Sequence, residues 1–181
     1  MKLLLDTCVL FPTVLREVLL AVAEQGLFTP LWSERILGEW ERAGAKHGPV
    51  EAARALLAIV QARARFPKAV VTPHPGLMLR LHLPDENDIH VLASAIAGSA
   101  DAIVTLNAAD FPRSALAAEG VERRDPDGLL WELWSHHPVE VAAALEQVRT
   151  KAEALSGQPQ PLVPLLKRAK LTRLARAVKA G

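Results

Sequence analysis

The sequence predicts an α/β protein built from βαβ units, and two stretches carry that prediction. In the first, the apolar run Leu3-Leu4-Leu5 ends in Asp6, a helically spaced segment follows over 13–25, and a second short strand follows over 27–31. Parallel strands need a crossover of this kind, because a tight turn cannot join them. The second is residues 83–112, LPDENDIHVLASAIAGSADAIVTLNAADFP. It passes from acids into a small-residue helix and then into an apolar strand, Ala102 to Leu106, closed by Asn107 and Asp110. Both stretches leave a carboxylate at the carboxyl end of a strand, where open α/β sheets collect ligands.

The elements follow in order. Val14, Val18, Ala21 and Val22 form one stripe of the helix over 13–25, and Gly26 stops it. Ser33 is a fitting N-cap for the next helix, whose buried face is marked by Ile36, Leu37 and Trp40. Glu39 leans toward that face rather than away from it. Gly48-Pro49 breaks the chain before a helix over 50–66, with Ala53, Leu56, Leu57 and Val60 expected inward. Val70 to Thr72 reads as a strand, with His74 and His82 as surface residues. Asp85 and Asp88 stand three apart at a helix start. Val91 to Ala97 forms the helix, and Gly98 is its expected left-handed stop.

Beyond Pro112 a short edge segment ends near Arg124, and Asp125-Pro126-Asp127-Gly128 reads as a turn. Trp131 and Trp134, three apart on the helix that follows, are expected to cover apolar surface. An amphipathic helix runs over 138–155 with Val141, Ala144, Leu145 and Val148 inward, and a proline-containing linker lies near 156–164. A single basic amphipathic helix is expected over 162–180.

The chain has 181 residues, half of them apolar, which suits one domain with an appendage. The expected division is a core over 1–135 and a helical extension over 136–181. Charge is unevenly spread. No acid follows Glu153, while Lys167, Arg168, Lys170, Arg173, Arg176 and Lys179 do; the preceding part carries fifteen cations against twenty acids. Two readings of the basic segment stand side by side: a packing helix with cationic outer positions, or a surface for RNA or a partner. One cysteine, Cys8, excludes an intrachain disulfide. No apolar run reaches membrane-spanning length. The expectation is a soluble, cytoplasmic protein.

Four acids have matching placements: Asp6 after the first strand, Glu39 on a helix, Asp88 at a helix start and Asp110 after a later strand. A strand-end carboxylate is costly to bury alone. A backbone hydrogen bond satisfies it structurally; a cation satisfies it functionally. Carboxylates that crowd together cannot all ionise without a counter-ion, and an oxygen-only set suits Mg²⁺ or Mn²⁺ rather than zinc.

The pieces LLLDTCVL, SERILGEW, PDENDIHVLASAI and IVTLNAADFP together resemble the PIN-domain nucleases, and more narrowly their bacterial toxin–antitoxin branch near the VapC-type toxins. The resemblance covers roughly residues 1–134. It implies a three-layer α/β fold with a central parallel sheet of about five strands, followed here by a C-terminal helical extension. It also implies metal-dependent cleavage of RNA, with one or two Mg²⁺ or Mn²⁺ ions. Asp6, Glu39, Asp88 and Asp110 fall on the family's acidic quartet. Asp85 is an added acid beside it, Asn107 falls where relatives carry Asn or Asp, and Thr105 matches a hydroxyl residue beside the site. Cys8 departs from the Asn or Ser common there; by pattern it reads as a packing residue. Arg16, Lys167, Arg168, Lys170 and Arg173 are expected to hold the RNA backbone. A cognate antitoxin and a homodimer are family expectations.

Two rivals remain. A phosphatase with an aspartyl nucleophile would carry a second Asp two residues past the first, where this chain has Cys8. The other is a catalytically inactive PIN-like module that binds RNA or protein.

Overall fold

The three leucines after Lys2 become the centre of a sheet because they can be buried on both faces at once. Strand β1 (Lys2–Leu5) pairs in parallel with β2 (Thr29–Ser33) on one side and β4 (Ala102–Val104) on the other. Leu4 stands opposite both Leu31 and Ile103, and Leu3, Leu4 and Leu5 have no exposed surface. Burial of each such side chain contributes roughly 1.5–3 kcal/mol. In this computed structural model, which describes residues 1–180, β3 (Val70–Val71) and β5 (Glu122–Arg124) complete five parallel strands in the order β3-β2-β1-β4-β5. Gly181, the last residue of the expected extension, lies outside the described residues. The sheet and its helices make the three-layer α/β architecture expected. Strand order reverses between β1 and β4, the switch point at whose carboxyl ends a ligand crevice forms.

By compactness the chain groups into two units, residues 1–11 with 29–124, and residues 12–28 with 125 onward. The first holds the whole sheet. Its helices are α1 (Thr7–Leu10), α3 (Glu34–Lys46), α4 (Pro49–Arg65), α5 (Pro75–Met78), α6 (Ile89–Ala97) and α7 (Arg113–Ala117). α2 (Thr13–Glu24) belongs to the second unit, with α8 (Pro126–His136), α9 (Pro138–Ser156), α10 (Leu162–Arg168) and α11 (Thr172–Ala180).

Several expectations need correction. β2 begins two residues later than expected, since Thr29 rather than Leu27 pairs with Lys2. Ser33 does cap α3: its hydroxyl accepts from the Ile36 amide at 3.2 Å. On α4 the expected inward face is reversed. Leu56, Leu57 and Val60 are exposed, while Ala55, Ile59 and Ala62 are buried. The small residues face α3 because the two helices approach closely: a Cβ on Gly44 would lie 2.6 Å from that of Ala55. Asp125 to Gly128 is the start of α8, not a free turn; Pro126 takes the first helical position and the Asp125 carboxylate accepts from the Gly128 amide at 2.8 Å. Trp131 is 46 % exposed, so it covers apolar surface only in part, while Trp134 is half-buried. The single helix expected over 162–180 is two, broken where Lys170 takes a left-handed conformation at φ 62°. The break lets Leu166, Leu171, Leu174 and Ala175 all be buried.

Gly98 ends α6 as expected, but for a different reason. Its φ is −83°, and the left-handed residue is Ser99 at 51°. A side chain at 98 has no room: its Cβ would stand 2.7 Å from Leu31 and 3.0 Å from Val71. Gly98→Val should therefore lower the unfolding free energy by roughly 1–3 kcal/mol, read by urea denaturation. An unchanged midpoint would show that α6 can lift off β2 and β3 at no cost.

Candidate metal centre

β1 ends at Leu5 and delivers Asp6 to the first turn of α1, with the Asp6 amide still held by the Val104 carbonyl at 3.2 Å. Asp6 is only 7 % exposed. Its Oδ2 accepts from the Thr105 hydroxyl at 2.7 Å and from the Cys8 thiol at 3.0 Å. Thr105 also receives the Asn107 amide at 3.0 Å, and the Cys8 sulfur receives the Leu106 amide at 3.2 Å. Cys8 is thus not simple packing; it takes the place beside Asp6 where a small polar residue serves. Burial, together with the Asp6 charge, pushes its thiol up to about 12, so it is a donor here and not a nucleophile.

Past β4, the chain turns through Asn107 to Asp110. The Asn107 side-chain amide donates to Asp110 Oδ2. Arg123 of β5 clamps the same loop, donating to the carbonyls of Ala108 at 2.6 Å and Phe111 at 2.9 Å, and Phe111 is fully buried. On the approach to α6, Asp85 caps a 3-10 turn (Glu86–Asp88). Its Oδ1 accepts from both the amide and the side chain of Asn87, each at 2.9 Å, which leaves Oδ2 as the available donor atom. Asp88 sits at the junction of this turn and α6.

The outcome is a set of three carboxylates, Asp85, Asp88 and Asp110, each offering an oxygen within 4.8 Å of the others. Burial pushes the Asp88 carboxyl up to about 6, aided by the charges of Asp6, then Asp85 and Asp110. Asp6 stands outside the tight trio, yet it is the strongest charge acting on Asp88. The group fits a cation site: its donors are all oxygen, and three carboxylates crowd into one place.

Glu39 is held apart from the trio. The Thr7 hydroxyl lies 3.1 Å from its Oε2, and Oε1 lies 2.8 Å from His90 Nε2 and 3.4 Å from Arg35 Nε. Burial would raise the Glu39 carboxyl, but His90, Thr7 and Arg35 together hold it below its ordinary value. Arg35 also donates to the Asn87 carbonyl at 3.3 Å, tying α3 to the turn that carries Asp85 and Asp88. The glutamate thus bridges the neighbours of Asp6 and of Asp88.

Sequence reasoning missed His90, Arg35 and Arg123. His90 lies inside an apolar run and is 2 % exposed, so its pattern is that of a core residue. The signal available was position: it follows Asp88 by two. Among the expected RNA contacts, Lys167, Arg168, Lys170 and Arg173 are exposed, with Arg168 bonded to Gln160 at 2.6 Å. Arg16 is different: it is 5 % exposed, with Nε 3.5 Å from Glu17, and it offers no open surface to a phosphate.

A parallel sheet of order 3-2-1-4-5 with clustered carboxylates at its switch point defines an α/β protein whose acidic cluster could hold a metal ion. The family model of the PIN domain matches residues 2–109, more than half of the chain, and the protein belongs to the PIN-domain family. The match takes in Asp6, Glu39, Asp85, Asp88, Thr105 and Asn107, and stops one residue short of Asp110. No curated protein and no solved structure matches the chain. PIN domains are as a class metal-dependent nucleases, which makes a nuclease-type function the general expectation for this chain.

Proposed function

We propose that the protein is a divalent-metal-dependent endoribonuclease, the toxin component of a type II toxin–antitoxin pair. The observation that supports this best is the trio of carboxylates at the switch point, with the Asp88 carboxyl pushed up to about 6. Asp88 and Asp110, assisted by Asp85, would hold Mg²⁺ or Mn²⁺. When bound, such an ion supplies positive charge that stabilises the phosphodiester as it is attacked and lowers the pKa of a nearby water. The remaining work falls to the chain itself. Thr105 and Cys8 fix the orientation of the Asp6 carboxylate so that it faces the same reaction centre. Asn107 and Arg123 hold Asp110 in place. Glu39, kept ionised by His90, Thr7 and Arg35, orients the attacking water.

The test is cleavage of single-stranded RNA by the purified chain with Mg²⁺ or Mn²⁺, beside an Asp6→Asn variant. Cleavage should need the ion and fall by at least about 10-fold in the variant. Equal cleavage by the variant would assign the activity to a contaminant. No cleavage by either, with intact metal binding, would favour an inactive binding module.

The exposed stripe of Val50, Leu57 and Val60 on α4, with Leu56 beside it, supports a partner helix on this face, from an antitoxin or a second copy. Leu57→Glu is expected to weaken that association by at least about 10-fold, since charge is poorly tolerated in an apolar contact. Light scattering on the free chain distinguishes the two partners. A monomeric wild type removes the homodimer, and a dimer untouched by Leu57→Glu removes this face.

A further inference from the structure

In the second unit, α8 and α11 are locked together at their first turns. The Asp127 carboxylate accepts from the amides of Arg173 at 2.8 Å and Leu174 at 3.0 Å, and from the Thr172 hydroxyl at 3.3 Å. It thereby caps α11 from the neighbouring helix and satisfies donors that would otherwise be orphaned. One turn further along α8 stands Trp131; one turn further along α11 stand Arg176 and Ala177. Trp131, Arg173, Arg176 and Ala177 together line an open surface pocket of about 420 Å³.

The exposed tryptophan is the anomaly. Trp32 and Trp40 are fully buried, whereas Trp131 leaves nearly half its surface in water. Among the described residues, neither the Arg173 nor the Arg176 guanidinium has an ion-pair partner, and neither is stacked on the indole ring. No acid lines the pocket, and Asp127, one turn before Trp131 on α8, is engaged by the backbone of α11. The segment that supplies the arginines carries six cations and no acid. An exposed indole face offers stacking to any flat ring, and unpaired guanidinium groups beside it offer charge-assisted bonds to phosphate. Bases on an aromatic platform with phosphates on arginines is the recognition mode of single-stranded nucleic acid.

We infer that the pocket of Trp131, Arg173 and Arg176 is a docking site for single-stranded RNA, sharing no residue with the carboxylate trio. The inference rests on the proposed ribonuclease reading for its choice of RNA. It goes beyond that reading in assigning a binding platform: Trp131 stacks a base, and the two arginines hold the flanking phosphates. An acidic protein segment suits the arginines but gives the indole no repeating planar partner, so RNA is the better fit.

The test is equilibrium binding of a fluorescein-labelled twelve-nucleotide oligouridylate to the full chain in EDTA, where no cleavage occurs. Failure here is therefore distinct from failure of the nuclease reading, which the cleavage assay decides. Trp131→Ala should weaken binding by roughly 10-fold and abolish the quenching of tryptophan emission by unlabelled oligouridylate. The double variant R173Q/R176Q should weaken binding and lower the slope of log affinity against log salt by about 1.4. K46Q/K68Q, which removes the same charge from exposed positions in the other unit, should leave both readouts near wild type. Affinity unchanged in Trp131→Ala and in R173Q/R176Q would overturn the assignment. So would equal weakening by K46Q/K68Q, which would reduce the effect to net charge. Stronger quenching of Trp131 by polyglutamate than by the oligouridylate would overturn it in favour of a protein partner.

Discussion

Asp88→Asn is expected to lower RNA cleavage by at least about 100-fold, while making the metal-free protein more stable. Loss of a partner outside the ligand set typically costs 10–100-fold, and a ligand costs more. The stability gain follows from the sign of the carboxyl's displacement. Its folded pKa is about 6, above the ordinary value of 3.8. The favourable contribution of Asp88 is therefore fully present below about pH 4 and is lost as pH rises through about 6. Above that, the folded state must carry a half-buried charge facing Asp6, Asp85 and Asp110, whereas the unfolded chain is spared it. An amide removes the conflict. The melting temperature of the EDTA-treated variant should exceed that of wild type near pH 7.5, with a smaller gap near pH 5. Mg²⁺ should raise the wild type near pH 7.5 and leave the variant nearly unmoved. A variant that melts below wild type without metal near pH 7.5 would mean that Asp88 stabilises the fold on its own account. The carboxylates would then not be frustrated in the absence of a cation, and the case for a metal centre would fail.

The same conflict explains why this part of the site was legible in the sequence. Asp6 directly follows one short apolar run and Asp110 lies four residues past another, both of which read as strands, and Asp88 starts a helix of small residues between them. A parallel crossover has few ways to arrange such segments, so Asp88 and Asp110 come together, with Asp85 completing their trio and Asp6 outside it. Periodicity also identified the α3 face with Ile36, Leu37 and Trp40, because that helix has only one apolar side. It misled on α4, which has two: the larger residues Leu56, Leu57 and Val60 outweigh Ala55, Ile59 and Ala62 on any hydrophobic count. Close approach to Gly44 selects the small side, and that depends on a neighbour no single-helix pattern contains. The break at Lys170 was hidden for a related reason. Lysine does not ordinarily stop a helix, and its left-handed conformation is sustained by the burial of Leu166 and Leu171 on either side. Cys8 reads in the sequence as a packing residue, but it is only half-buried, and its thiol shares the Asp6 Oδ2 with the Thr105 hydroxyl, which arrives from the end of β4.

His90→Leu is the second large effect expected, and it separates a positioning role from a structural one. His90 Nε2 lies 2.8 Å from Glu39 Oε1, a close charge contact without hydrogen-bond alignment, and its Nδ1 has no hydrogen-bonding partner among the described residues. A buried ring nitrogen without a partner costs free energy, so the fold alone gives no reason to keep an imidazole there. Leucine fills a similar apolar space, and the unfolding midpoint should change little. Glu39 would retain Thr7 and Arg35 but lose the contact that faces the Asp88 side, leaving its carboxylate free to rotate. Turnover of RNA should fall by roughly 10–100-fold, with little change in KM, because His90 touches neither substrate nor ion. His90→Gln keeps a donor of similar reach and should recover part of the lost kcat, a rescue that a purely structural role would not give. Unchanged kcat in His90→Leu would remove His90 from the machinery. It would also leave Glu39 as a surface acid whose neighbours happen to be polar.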